Sequence, residues 1–317
     1  MKFGPIPIEN AVNKILGHNV PGQDGKRLFR KGHLLSADDV ATLRDLGKSS
    51  LYVAVLEPGD VQEDEAALRL AQKAAGDNLR LTGPASGRVN LSATTQGVLY
   101  VDEDRLLAVN QHPGITLATL PTYHAVELRQ TVATVKIIPF AVPNTTLLNA
   151  ELNLVTGGPL LKVVDFQQKR VAILLSGSGS VRNRLVEDFD VPLRQRLINL
   201  HAAAELTDFI TLEDEGDEIA LAEWLLNIVS SGFELVVVAG ETAIMDQCDL
   251  VPRAIERAGG HVPVVGVPVD PGNLLMIGYL QDVPILGAPG CARSLKINAI
   301  DWVLHRLLVG EKLSHAD

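Results

Sequence analysis

Four stretches in the second half of the chain combine residue types and spacings that can do chemistry. The first is Ser176-Gly177-Ser178-Gly179-Ser180, directly after the apolar run Val171–Leu175. Small hydroxyl residues and glycines at a strand end let backbone N–H groups approach an anion closely, as phosphate-binding loops do. The P-loop lysine and the GxGxxG spacing are absent, so a plain strand-to-helix turn fits these residues equally well. The second stretch is Ala239–Gly260, in which Gly240 ends a buried strand and Thr242 can cap a turn. Asp246 and Asp249 stand on one side of a helical turn within it. Such a carboxylate pair can bind a metal, orient a polar ring or act as a general base. The same spacing is met by an Asp249 that caps a helix beginning at Leu250, with Asp246 in solvent.

The third and fourth stretches are proline-glycine turns, Asp270-Pro271-Gly272-Asn273 and Gly287-Ala288-Pro289-Gly290-Cys291-Ala292-Arg293-Ser294. Each follows an apolar run, which puts both at strand ends. Gly290 permits close backbone approach. Arg293 and Ser294 are read as opening the last helix, where an arginine can clamp a phosphate; a tight turn with a surface arginine is the other reading. The 8 histidines lack metal-ligand spacing and no Gly-x-Ser-x-Gly elbow is present, which leaves zinc chemistry and covalent hydrolysis without support.

The elements that must position these stretches alternate from Leu161 onward. Val171–Leu175, Leu206–Thr211 and Phe233–Gly240 read as buried strands. Helices are expected over 191–200, 217–229 and 250–257, the last closed by Gly259 and Gly260. Near-continuous apolar strands alternating with helices mean a mostly parallel sheet covered on both faces, with ligands beyond the carboxyl ends of its strands. Upstream, Ser36 before Ala37-Asp38-Asp39 caps a helix that stops at Gly47, a strand follows through Ser50–Leu56, and Glu63–Ala75 is a second helix. Residues 79–143 break into short β-prone runs, among them Leu106–Asn110, and the Asn/Thr-rich stretch after Pro143 reads as an edge or connector. Three units result: an α+β unit at 1–78, a β-rich unit at 79–165 and an α/β domain at 166–317.

A length of 317 residues suits two or three domains of ~150 residues. Hydrophobic residues make up 46% and charged residues 21%, a globular balance, while 4% aromatics require aliphatic cores. The 28 Lys+Arg against 38 Asp+Glu give a net charge of −10 without a basic cluster, which argues against nucleic acid as a partner. No apolar run suits a membrane span, and Met1–Asn10 lacks the apolar region of a secretory signal, so a cytoplasmic location is expected. Cys248 and Cys291 form neither a CxxC pair nor a disulfide framework.

Taken in order, the last three stretches resemble the molybdopterin-binding domain of the molybdenum-cofactor biosynthesis family, the molybdopterin molybdotransferases and, more distantly, the adenylyltransferases. That family's pattern is Gly-Gly-x-Ser-x-Gly-x-x-Asp, a helix ending in Gly-Gly, Pro-Gly-Lys-Pro, then Gly-Leu-Pro-Gly-Asn-Pro-x-Ser. Here the same order reads Ala239-Gly240-Glu241-Thr242 through Asp249, Gly259-Gly260, Pro271-Gly272-Asn273, and Gly287-Ala288-Pro289-Gly290-Cys291-Ala292-Arg293-Ser294. The resemblance covers residues 168–310 and extends weakly to the N-terminal third.

The resemblance implies a three-layer, mostly parallel α/β sheet and a pterin-phosphate ligand at its strand ends. Molybdopterin or the molybdenum cofactor would be held by Ser176, Gly177, Ser178, Gly240, Glu241, Thr242, Asp249, Pro271, Gly272, Asn273, Pro289, Gly290, Arg293 and Ser294. Asp249 would take the pterin N–H edge or help hold a cation. Ser176-Gly177-Ser178 stands where molybdotransferases carry Gly-Asp-Glu, which removes two carboxylates. Asn273 replaces a lysine, whose charge Arg293 is expected to restore. The leading expectation is a carrier or accessory protein beside a molybdenum cofactor nucleotidyltransferase or a molybdoenzyme, as a homodimer. One alternative is a molybdotransferase- or adenylyltransferase-like enzyme using Asp246 and Asp249 with Mg2+; another is a structural or regulatory module that binds no pterin.

Overall fold

The computed structural model describes residues 1–212 and 216–317. Two compact units emerge, Met1–Val164 and Asp165–Asp317. The first begins with an antiparallel sheet of Lys2–Pro7, Ser50–Val55 and Ile15–Leu16, whose core is Ile8, Leu16, Leu35, Leu43 and Val53. The helix Ala37–Asp45 starts as its sequence predicts. Asp39 N–H donates to Ser36 Oγ at 3.2 Å, and Ser36 N–H donates back to Asp39 Oδ2 at 2.9 Å, a reciprocal capping box.

A second core in this unit forms where the helix Glu63–Ala74 packs on a four-stranded antiparallel sheet. Ala66, Ala67, Leu70 and Ala71 recur at helical spacing, and the small alanine side chains let the helix lie close to Val89, Leu91 and Val135. Two segments differ from their sequence reading. Leu106–Asn110 belongs to a helix, Glu103–Asn110, because Asp102 accepts the Arg105 N–H at 3.0 Å and caps it. The stretch after Pro143 is also a helix, Asn144–Val155, in which Leu147, Ala150 and Leu154 supply a buried stripe under the Asn/Thr composition. Its Glu151, 7% exposed, accepts from Arg69 Nε at 2.9 Å and Nη2 at 3.1 Å.

The second unit is built from β1 (Val171–Gly177), α1 (Val191–Asn199), β2 (Ala204–Thr211), α2 (Asp217–Ser230), β3 (Leu235–Gly240), α3 (Leu250–Arg257), β4 (His261–Val265), β5 (Met276–Leu280), β6 (Val283–Gly287) and α4 (Ala299–Leu308). Its six strands form one mixed sheet in the order β2-β1-β3-β6-β5-β4. Pairings β1–β2, β1–β3 and β3–β6 are parallel; β5–β6 and β4–β5 are antiparallel. Strand β5, which the sequence reading does not contain, is what makes the sheet mixed.

Period-two alternation divides the core between the two faces of the sheet. Val171, Ile173, Leu175, Leu235 and Val237 meet Leu193 and Leu197 of α1 and Ile300, Leu304 and Leu307 of α4. Ala172, Leu174, Val236 and Val238 meet Leu221 and Leu225 of α2 and Val251, Ala254 and Ile255 of α3. Glu218 of α2 joins that helix to α3 through Arg253 and Arg257. No described helix is long and apolar enough to cross a membrane.

Candidate functional site

Strands β1, β3, β6 and β4 run in one direction, so the loops after them share one edge of the sheet. These loops hold the chemistry-bearing stretches. At the centre of the edge Ser176 pairs with Gly240 across β1 and β3. The approach requires glycine: a Cβ on Gly240 would stand 2.9 Å from Ser176 Oγ and 3.1 Å from its carbonyl oxygen. Glu241 then donates its N–H to the Ser176 carbonyl at 2.8 Å. Its carboxylate oxygen Oε2 accepts the Ser178 N–H at 3.0 Å and the Ser178 hydroxyl at 3.1 Å. Those donors, with the field of Arg184, hold the Glu241 carboxyl below its ordinary range. The serine loop is therefore no bare anion cradle, because a carboxylate from the neighbouring loop is seated on it. Ser180 completes the cluster, its Oγ 3.2 Å from that of Ser178.

The loop from Thr242 to Asp249 is shaped by its own acids. Asp249 Oδ2 accepts the N–H groups of Met245 at 2.5 Å and Asp246 at 3.1 Å, and Asp246 Oδ1 accepts that of Cys248 at 2.7 Å. Asp249 occupies the N-cap position of α3, but its side chain turns back into the loop instead of bonding the helix. The hydrogen bond and charge of Asp246 push the Cys248 thiol upward. Buried Ile244 pins the loop to β6, its Cδ1 lying 2.6 Å from where a Cβ on Gly287 would be. Thr242 is exposed, and its hydroxyl makes no hydrogen bond among the described residues.

The turn carrying Pro271 is the tip of the β4–β5 hairpin. Gly266 N–H donates to Leu275 O and Val267 N–H to Asn273 O, each at 2.9 Å. Gly272, at φ +119°, lies against the start of α4: a Cβ there would stand 2.6 Å from that of Ala299. The Ala299 N–H donates to the Pro271 carbonyl at 3.1 Å.

After β6, Ala288 N–H continues the pairing to Val238 O at 2.7 Å, and Gly290–Arg293 forms a short 3-10 turn. Arg293 ends that turn; the last helix begins at Ala299, where Asn298 and Asp301 form its capping box, and not at Arg293 and Ser294. The Arg293 guanidinium lies 4.8 Å from the Phe189 ring centroid, with Nη1 3.8 Å from Asp188 Oδ2. Gly290 is exposed and a Cβ on it would meet nothing within 4 Å.

Arg196, only 4% exposed, is the residue that sequence reasoning missed. Its guanidinium donates to Asp301 Oδ1 at 2.7 Å, to Ala292 O at 3.0 Å and to Ser294 O at 2.6 Å, holding the loop after β6 between α1 and α4. The signal available is its place on the apolar stripe of α1, between Leu193 and Leu197. Among the described residues no group of three or more His, Cys, Asp and Glu side chains is gathered to hold a metal, so Mg2+ finds no preformed ligand set. A cavity of about 200 Å³ lies at the opposite edge, lined by Gln167, Tyr279, Asp282, Pro284 and Lys312, away from all these stretches.

The glycine, serine and acidic loops lie beyond the carboxyl ends of the parallel strands, where open α/β sheets in general take their ligands. A family model described as a domain of unknown function (DUF8806) matches residues 5–55. No protein of curated function matches the chain. Among solved structures, a molybdopterin biosynthesis MoeA protein from Pyrococcus horikosii is similar at 14% identity and TM-score 0.33, over 97% of this chain and 75% of that one. A molybdenum cofactor biosynthesis protein from Pyrococcus furiosus is similar at 12% identity and TM-score 0.25, over 98% and 66%. The molybdopterin biosynthesis Mog protein from Mycobacterium ulcerans is similar at 14% identity and TM-score 0.28, over 44% of this chain and 92% of that one.

Proposed function

We propose that the Asp165–Asp317 unit binds a molybdopterin-type ligand at the carboxyl edge of its sheet. In this reading the chain serves molybdenum cofactor biosynthesis as a carrier or accessory protein, working as a homodimer beside a nucleotidyltransferase or a molybdoenzyme. The observation that carries the reading is convergence. The motif segments at Gly240–Asp249, Pro271–Asn273 and Pro289–Ser294 are far apart in the chain, yet they follow strands that end at one edge, beside Ser176–Ser178. Gly290 offers open backbone at that edge for a ligand to approach. Asp246 and Asp249 each have an oxygen engaged by loop N–H groups, which supports binding over proton transfer by this pair.

The test is anaerobic titration of the full chain with molybdopterin and with its adenylated form, alongside Gly290→Leu. That substitution meets no protein atom at its Cβ, so the fold tolerates it while the new side chain stands in the ligand's approach. Micromolar binding by the wild type, weakened about tenfold or more in the variant, supports the reading; tenfold corresponds to about 1.4 kcal/mol. Absence of binding of either form overturns it, as does equal binding by a variant of unchanged thermal stability.

A further inference from the structure

We infer that Glu241 is the acceptor for an N–H-donating edge of the ligand, and that the end of β1 is a carboxylate-presenting subsite, not a phosphate subsite. The inference rests on the pterin-binding reading above and gives the ligand an orientation. Ser178 N–H and Ser178 Oγ are the two donors nearest the end of β1, and both already point to Glu241 Oε2. An incoming phosphate there meets the negative charge of Glu241 where the Ser178 donors would otherwise be open.

The same two bonds fix the Glu241 side chain. With Oε2 held, the other carboxylate oxygen, Oε1, makes no hydrogen bond among the described residues, on an exposed side chain at the junction of the two central strands. A carboxylate anchored by one oxygen and open at the other is already oriented to accept, and hydrogen bonds to a charged acceptor are stronger than neutral ones. Gly177 is part of this arrangement. A Cβ at that position would stand 2.9 Å from Glu241 Cβ and 3.1 Å from Oε2, so the loop after β1 leaves room for the acid to lie across it. The partner chemistry that fits is a flat heterocycle with adjacent N–H donors, such as the 2-amino and N3–H edge of a pterin. The ligand's phosphate then lies away from the β1–β3 junction.

The experiment compares wild type, Glu241→Gln and Glu241→Ala by fluorescence titration with molybdopterin, with 6-hydroxymethylpterin, which has no phosphate, and with inorganic phosphate. Gln keeps an oxygen for the Ser178 donors, so the loop stays folded while the charge is removed; thermal melts of both variants check this. The expected result is pterin binding weakened about tenfold or more in both variants, for both pterins, with phosphate binding unchanged or tighter. Wild-type binding of pterins that the variants match or exceed overturns the inference alone. Wild-type failure to bind any pterin overturns the pterin reading and this inference together.

Discussion

Arg196 of α1 and Asp301 in the first turn of α4 are joined by a 2.7 Å hydrogen bond that carries the loop between Ala292 and Asn298 with it. The arginine is buried and also serves the carbonyls of Ala292 and Ser294, so one side chain satisfies acceptors both on the loop after β6 and on α4. Asp301 in turn accepts the Asn298 N–H at 2.9 Å and completes the cap of α4. Arg196→Met keeps the apolar stem and removes the guanidinium, leaving a carboxylate and two carbonyls without their donor. The arginine is buried but Asp301 is 27% exposed and can take water, so the loss is expected to cost about 1–3 kcal/mol. Urea unfolding followed by far-UV circular dichroism should show the midpoint falling by an amount of that order; a midpoint within experimental error of wild type would show that water replaces the arginine.

The Asp39 carboxyl is held well below its ordinary range by the hydrogen bonds of the helix cap. The Ser36 N–H, then the His33 ring and the Ser36 hydroxyl, bring it from 3.8 down to about 2. A carboxyl whose folded value is depressed adds stability that is present above the unfolded value and disappears as pH falls through the folded one. The window therefore runs from about pH 4 down to about pH 2. Integrated over that shift, the contribution is about 2 kcal/mol. The expected outcome is a wild-type stability that drops across this window and a smaller drop in Asp39→Asn, measured by denaturant unfolding at pH 5, 3 and 2. Parallel curves for the two proteins would assign the acid sensitivity to other carboxyls.

Much of the element order was legible because its end signals are local. Ser36 with Asp39 marks one helix start, and Gly259, at φ +89°, with Gly260 marks the end of α3, where Gly260 N–H bonds Ile255 O at 2.9 Å. The apolar runs of β1 and β3 are buried on both faces and read as strands without alternation. Strand β5 was hidden because Met276–Leu280 is a five-residue apolar run that periodicity does not separate from a buried loop or helix turn. Helix Asn144–Val155 was masked by composition, although its Leu147, Ala150 and Leu154 keep helical spacing. The site was legible as residue types but not as partners. Nothing near Ser178 in sequence announces that its donors face Glu241, because that contact follows only from the parallel pairing of β1 with β3. The partners of Arg196 were illegible for the same reason, since its acceptors come from beyond β6.

Asp249 allows shape and charge to be separated within the candidate site. One carboxylate oxygen gathers the N–H groups of Met245 and Asp246, which fixes the loop between β3 and α3. Asn at this position keeps a carbonyl oxygen able to accept both bonds but carries no charge, whereas Ala removes both. Asp249→Ala is therefore expected to expose the amides of residues 245 and 246 to faster hydrogen exchange and, on the proposed pterin-binding reading, to weaken molybdopterin binding by about tenfold or more. Asp249→Asn should keep the exchange protection. If its affinity also returns to that of wild type, Asp249 is a positioning residue. If protection returns and affinity does not, the Asp249 charge itself meets the ligand, and the β3–α3 loop supplies a second carboxylate contact beside Glu241.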